Sequence, residues 1–238
     1  MFLTESIWLR QAIDKLDLTA SSRILDAGSS TSELREEVQP YIEKNVFTPL
    51  RKRGFEIIHA DKKSGRGVDL VIDIEKTLNV KGRFDLVICT SLLEHVRDIR
   101  SAVGNILSSV KKNGYMAVSV PFVCPYHPDP IDTMFRPSNI ELEKLFLNQK
   151  ILESAIVSSP VEIEGKPEIG QVSIVMLQVI SPPPIKKTPG RRLWLIVLRF
   201  RNLLNKIERR RGSKNIFWRS LILAKDLSFR IYSILTPN

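Results

Sequence analysis

Short apolar runs recur along the first 180 residues, each followed by a stretch of helical spacing, and this alternation restricts the chain to few folds. Arg23–Asp26 (RILD), Phe55–Asp61 (FEIIHAD), Val68–Asp73 (VDLVID), Phe84–Thr90 (FDLVICT) and Tyr115–Pro121 (YMAVSVP) read as strands. The spacing between them predicts a helix from about Ser32, one over 41–53 closed by Gly54, and one over 96–112. Lys111, Lys112 and Gly114 read as the end of that last helix. A helix over 5–17 precedes the first strand, with Thr4 as N-cap and Ile7, Leu9, Ile13 and Leu16 as its apolar positions. Ser138 with Glu141 predicts a capping box that opens a helix through about Leu147.

Strand alternating with helix at this spacing points to an α/β fold with a mostly parallel sheet covered on both faces. Residues 151–157 and 171–180 read as two closing strands, which brings the sheet to seven. The polar loop Ser158–Gly170 between them is too short for a helical crossover, so an antiparallel edge pair is expected.

Charge divides the chain. Of 36 Lys and Arg and 26 Asp and Glu, 14 basic and 2 acidic residues lie from position 186 onward. The body is therefore almost neutral, and the tail carries the whole basic excess. Three segments follow: a domain over 1–180, a Pro-rich linker over 181–190 and a basic amphipathic helical tail over 191–238. Cys89 and Cys124 give no disulfide framework and no zinc spacing, so no metal is expected, and Cys89 reads as a small buried hydrophobe. Glu5 and Arg10 interrupt any apolar leader, no window reaches the span of a bilayer, and the chain reads as cytoplasmic.

In an open parallel sheet, ligands bind beyond the carboxyl ends of the strands, near the point where strand order reverses. Those ends carry Asp26-Ala27-Gly28-Ser29-Ser30, Asp61, Asp73 and Thr90-Ser91. A carboxylate closing the second strand suits a nucleoside, because it accepts both hydrogen bonds of a ribose diol. Gly28 permits a sharp turn and a close backbone approach. Plainer readings stand beside these: Asp26 as a strand-end capping residue, and Asp73 as the N-cap before Ile74-Glu75-Lys76.

ILDAGSSTS resembles the first motif of class I S-adenosylmethionine-dependent methyltransferases, which have a Rossmann-like fold. FDLVICTSLLEHV and KKNGYMAVSVP resemble the fourth and fifth strands of the same class, so that the likeness covers about residues 20–150. FTPLRKRGFEIIHADKKSGRGVDLVIDI and PFVCPYHPDPIDTMFRPS resemble a type 11-like subgroup often met among glycan-biosynthesis enzymes. The resemblance implies S-adenosylmethionine as cofactor. Gly28 and Ser29 would pass its methionine part and Asp26 would orient that loop. Asp61 would take the ribose hydroxyls, Asp73 and Ile74 would flank the adenine, and Ser91 would lie near the methyl donor. Two further glycines usual in that loop are Ser30 and Ser32 here. A Rossmann dehydrogenase also suits Asp61, but the G-x-G-x-x-G cradle for a pyrophosphate is absent after the first strand.

The acceptor is expected at Pro121–Pro137 (PFVCPYHPDPIDTMFRP), which holds Tyr126, His127, Asp129, Asp132 and Arg136 between stiffening prolines. Methyl transfer to a hydroxyl removes one proton. His127 is the candidate base, Asp132 orients it or serves instead, and Tyr126 and Arg136 hold the acceptor. The alternative is that His127 and Asp132 brace a rigid loop. Glu94 suits the start of the helix after the fourth strand, and His95 reads as structural; His59 is assigned no role.

In the tail, Leu193, Ile196, Val197, Phe200, Leu203, Leu204 and Ile207 share one helical face, with Arg199, Lys206, Arg209 and Arg210 mostly elsewhere. Asn215–Leu235 repeats the character with Trp218, Arg219, Lys225 and Arg230. Such helices read as attachments to an anionic bilayer surface, with docking on the body or oligomerisation as the alternative. The broad aliphatic face disfavours nucleic acid. The function expected is O-methylation of a sugar or lipid-linked glycan precursor at the inner membrane face. An RNA methyltransferase and a non-catalytic assembly partner are the alternatives.

Overall fold

The computed structural model describes residues 1–76, 80, 82–127, 131–163 and 166–180. The linker and tail expected at 181–190 and 191–238, and Asp129, lie outside the described residues. Seven strands form one sheet: β1 (Arg23–Ala27), β2 (Glu56–Asp61), β3 (Leu70–Val71), β4 (Phe84–Thr90), β5 (Val110–Val123), β6 (Lys150–Ile163) and β7 (Lys166–Gln178). Their order is β3-β2-β1-β4-β5-β7-β6. The first five strands pair in parallel, and β7 runs antiparallel to both β5 and β6. Strand order reverses between β1 and β4, which sets the ligand crevice at their carboxyl ends.

Each central strand alternates its side chains between two apolar layers, as period-2 geometry requires. Leu25, Val87, Cys89, Met116 and Val118 face one layer, and Ile24, Leu86, Ile88 and Ala117 the other. The first layer is covered by helix α2 (Ile99–Ser109) through Ala102, Val103, Ile106 and Leu107, and by α3 (Asn139–Glu143) through Leu142. The second is covered by α1 (Leu3–Asp14) through Leu9 and Ile13, and by Val46, Phe47 and Leu50. Cys89 is wholly buried, and burial pushes its thiol far up, as suits a small core hydrophobe.

Several boundaries differ from the sequence reading. Helix α1 starts two residues earlier, and Thr4 lies inside it, donating its Oγ1 hydrogen to the Ser158 carbonyl at 2.7 Å. The Phe2 backbone N–H is capped instead by the Glu5 carboxylate at 2.7 Å. The helical stretch after β1 breaks at Gln39, whose φ is −128°, because Pro40 lacks an N–H and disfavours helix at the residue before it. Helix α2 ends at Ser109: Val110 turns extended and pairs with Phe84, so Lys111, Lys112 and Gly114 belong to β5 rather than to a helix end. The expected loop 158–170 is largely strand, with β6 and β7 paired from Lys150↔Gln178 to Ile163↔Lys166. The capping box at Ser138 and Glu141 is present, each residue's side chain accepting the other's backbone N–H. Among the described residues no helix is long and apolar enough to cross a membrane.

Candidate functional site

Backbone strain gathers at the switch point. Gly28 follows β1 with φ +81°, Ser30 has φ +54°, and Ser91, which follows the neighbouring β4, has φ +49°. Left-handed serines cost on the order of 1 kcal/mol each and persist where the surroundings over-determine them, as at ligand sites. Gly28 needs its missing side chain twice over: besides its φ, an added Cβ would stand 2.7 Å from Leu92 Cδ1. The Gly28 and Ser29 N–H groups both donate to the Ala60 carbonyl, at 2.8 and 3.0 Å, which ties this turn to β2.

Asp61 closes β2 beside that turn. One carboxylate oxygen accepts the Ser30 N–H and the other the Lys63 N–H, both at 2.9 Å. The side chain is half-buried, and each oxygen keeps a lone pair for a further donor. Arg35, which the sequence reading passed over, locks the same loop from beneath. Its guanidinium is buried and donates to the carbonyls of Ser29, Ser30 and Gly67 at 2.8–2.9 Å. Ser32, in the place of a usual glycine, is buried against Gly67.

Asp26 lies behind the loop. It is register partner to His59 across the β1–β2 ladder, and its Oδ2 is 2.8 Å from His59 Nδ1, with both side chains buried. Arg51 reaches His59 Nε2 at 2.9 Å and can only donate, so that nitrogen accepts and the Nδ1–H donates to Asp26. Asp26 thus holds the end of β1 through a residue to which the sequence reading gave no role. Asp73 Oδ1 accepts the Glu75 N–H at 3.1 Å, which is the turn-capping geometry. Burial pushes Asp73 up, but Lys62 at 3.1 Å, the Glu75 N–H and Lys76 outweigh it and hold the carboxyl below its ordinary value. Ile74 is buried in the core layer beside α2.

A second polar group lies beyond β4 and β5. Leu93–His95 forms a turn of its own ahead of α2, which begins at Ile99, so Glu94 and His95 do not open that helix. The segment 131–136 docks on this turn: Thr133 donates its N–H and Oγ1 hydrogen to the Glu94 carbonyl, and the Ile131 carbonyl meets His95 Nδ1. This return brings His127 against His95, ring centroids 5.2 Å apart. Burial pushes the Glu94 carboxyl up to about 8, partly offset by its own N–H and the Arg136 charge. Burial also lowers the His95 imidazole.

Asp132 and Arg136 correct the expectation for the acceptor loop. Asp132 has no exposed side-chain surface; it accepts from Arg136 at 2.6 Å, from the Met134 N–H at 2.7 Å and from the His127 N–H at 3.1 Å. Burial raises it, but Arg136 and the two amides hold it below the usual range, which makes it a poor proton acceptor. The Arg136 side chain is 1% exposed and also reaches the carbonyls of Phe135 and Pro125, so it braces the loop and has no face for an acceptor. His127 remains 41% exposed in its side chain, and Tyr126 is exposed beside it.

Residues 8–149 match the family model described as a methyltransferase domain. No curated protein matches the sequence. Among solved structures the chain is similar to the CurJ carbon methyltransferase at 15% identity and TM-score 0.51, covering 76% of this chain and 54% of that one. It is similar to TehB from Haemophilus influenzae at 13% and 0.51, covering 74% and 61%. It is also similar to the [4+2]-cyclase SpnF at 15% and 0.50, covering 72% and 80%. At such identities these likenesses show the fold.

Proposed function

The chain belongs to the methyltransferase-domain family, which uses S-adenosylmethionine, and from that premise we propose that it O-methylates a sugar or lipid-linked glycan precursor. The observation that carries the cofactor half lies at the switch point, where Gly28 and Ser30 hold left-handed backbone beside a half-buried Asp61 and Ser91 does the same after the neighbouring β4. These residues fit the cofactor. Asp61 keeps lone pairs for a ribose diol, and no phosphate cradle is needed for a sulfonium ligand. When bound, S-adenosylmethionine supplies an electrophilic methyl carbon. Gly28 and Ser29 would lie beside its methionine part, Asp73 and Ile74 would flank the adenine, and Ser91 would lie near the methyl donor.

On the acceptor side, His127 Nδ1–H donates to the Pro125 carbonyl at 3.0 Å, which leaves the lone pair on Nε2 to take the hydroxyl proton. Asp132 Oδ2 lies 3.5 Å from that Nδ1 and offsets the charge the ring gains. Tyr126, exposed next to His127 in sequence, supplies an aromatic ring of the kind that stacks on a sugar. The basic amphipathic sequence of residues 191–238 supports action at an anionic membrane face on the cytoplasmic side. Incubation with labelled S-adenosylmethionine and a panel of nucleotide sugars and lipid-linked glycans tests this reading. Transfer to a glycan hydroxyl is expected; label found only on RNA would overturn it in favour of the nucleic-acid reading.

A further inference from the structure

The acceptor face contains a buried carboxyl group with no hydrogen bond to another of the described residues. Glu94 has no exposed surface, and among the described residues neither carboxyl oxygen finds a hydrogen-bond partner in another residue. A polar group at that depth is costly unless something compensates it. Two imidazoles close on it. One donor atom from each of Glu94, His95 and His127 lies within 4.8 Å of the others, with His95 Nε2 3.9 Å from Glu94 Oε1.

Both rings are set for ligation. The His95 Nδ1–H donates to the Ile131 carbonyl, and the His127 Nδ1–H to the Pro125 carbonyl, so each Nε2 keeps its lone pair. Hydrogen bonds of this kind fix ring orientation and tautomer in metal centres.

We propose that Glu94, His95 and His127 form a site for one divalent transition-metal cation. Two imidazoles and a carboxylate suit Zn²⁺, Mn²⁺ or Co²⁺. Ligand bonds of about 2.0–2.2 Å set donors roughly 3–3.5 Å apart, so the trio must draw in by about 1 Å. His127, on the exposed loop, is the ligand that moves. A cation here gives Glu94 the counter-charge it lacks, while Asp132 already neutralises Arg136 nearby. Three protein ligands leave a position open toward the acceptor side. The site rests on these side chains and not on the methyl-transfer reading; a cation occupies the His127 Nε2 lone pair that takes the hydroxyl proton there, so the two uses of His127 belong to separate cation-bound and cation-free states.

The test uses the full chain, freed of metal with a chelator and titrated with Zn²⁺ or Mn²⁺ by calorimetry. One cation per chain is expected, together with a Co²⁺ visible absorption spectrum of mixed nitrogen and oxygen ligation. Glu94→Gln, which keeps the shape and removes the charge, and His127→Ala should each weaken binding about tenfold or more, with the circular dichroism unchanged. Should Glu94→Gln fail to fold, His127→Ala at the loop surface carries the test alone. Absence of stoichiometric binding, or wild-type affinity in His127→Ala, overturns the site. S-adenosylhomocysteine binding to the metal-free chain separates the two readings: its presence without any cation binding removes the metal site only, and its loss with cation binding intact removes the cofactor assignment only.

Discussion

The Asp61 carboxylate accepts the Ser30 backbone N–H at 2.9 Å, joining the end of β2 to the left-handed turn that follows β1. That contact sets the crevice at the switch point. It lets one acidic side chain shape the loop and keep lone pairs for a further donor.

His127→Ala should lower turnover by about 10²–10⁴ while leaving S-adenosylhomocysteine affinity within about twofold. Its place beside Tyr126, with a partly exposed side chain and its Nδ1–H donated to Pro125, motivates this. Single-turnover rates and calorimetry on one preparation check it. An unchanged rate would remove His127 from proton transfer.

Asp26→Ala should cost about 1–3 kcal/mol in urea unfolding, because it leaves the buried His59 Nδ1–H without an acceptor. Asp26→Asn, which can still offer an oxygen to that N–H, should cost less. Equal losses in the two variants would show that the His59 contact is not what Asp26 contributes.

Acid should remove stability that Asp73 supplies. Its folded carboxyl lies below the ordinary value, so the contribution is present above the unfolded-state pKa of about 3.9 and fades as pH falls through the lower folded value. The wild-type chain should therefore lose more stability than Asp73→Asn on going from about pH 5 to pH 3. Parallel acid limbs would mean that Lys62 and Lys76 do not hold Asp73 ionised.

The basic tail should confer binding to anionic vesicles, with attraction of about 1 kcal/mol per basic residue near the surface. Sedimentation should fall in high salt and be slight with neutral vesicles. A chain ending at Ser181 should stay soluble and lose the association. Full-length protein that ignores anionic vesicles would contradict the membrane reading.

The sheet was legible because its central strands are short, mostly apolar segments ending in Asp61, Ala27 or Thr90, recurring between stretches of helical spacing. Helix ends were less legible. Lys111, Lys112 and Gly114 carry the chemistry of a helix terminus, yet Val110 pairs with Phe84, and that tertiary contact outweighs the local preference. The partnership of Asp26 with His59 depends on the β1–β2 register, which spacing does not reveal. The enclosure of Asp132 by Arg136, and the meeting of His127 with Glu94 and His95, depend on 131–136 folding back over the Leu93–His95 turn. A proline-rich loop shows that it is stiff, not where it lands.

Calorimetric titration of the full chain with S-adenosylhomocysteine and, separately, with NAD tests the cofactor assignment most directly. One S-adenosylhomocysteine per chain should bind, NAD should give no heat of binding, and Asp61→Ala should weaken the first by about 10- to 100-fold through lost hydrogen bonds to a charged acceptor. Tight binding of NAD with no response to S-adenosylhomocysteine would contradict it.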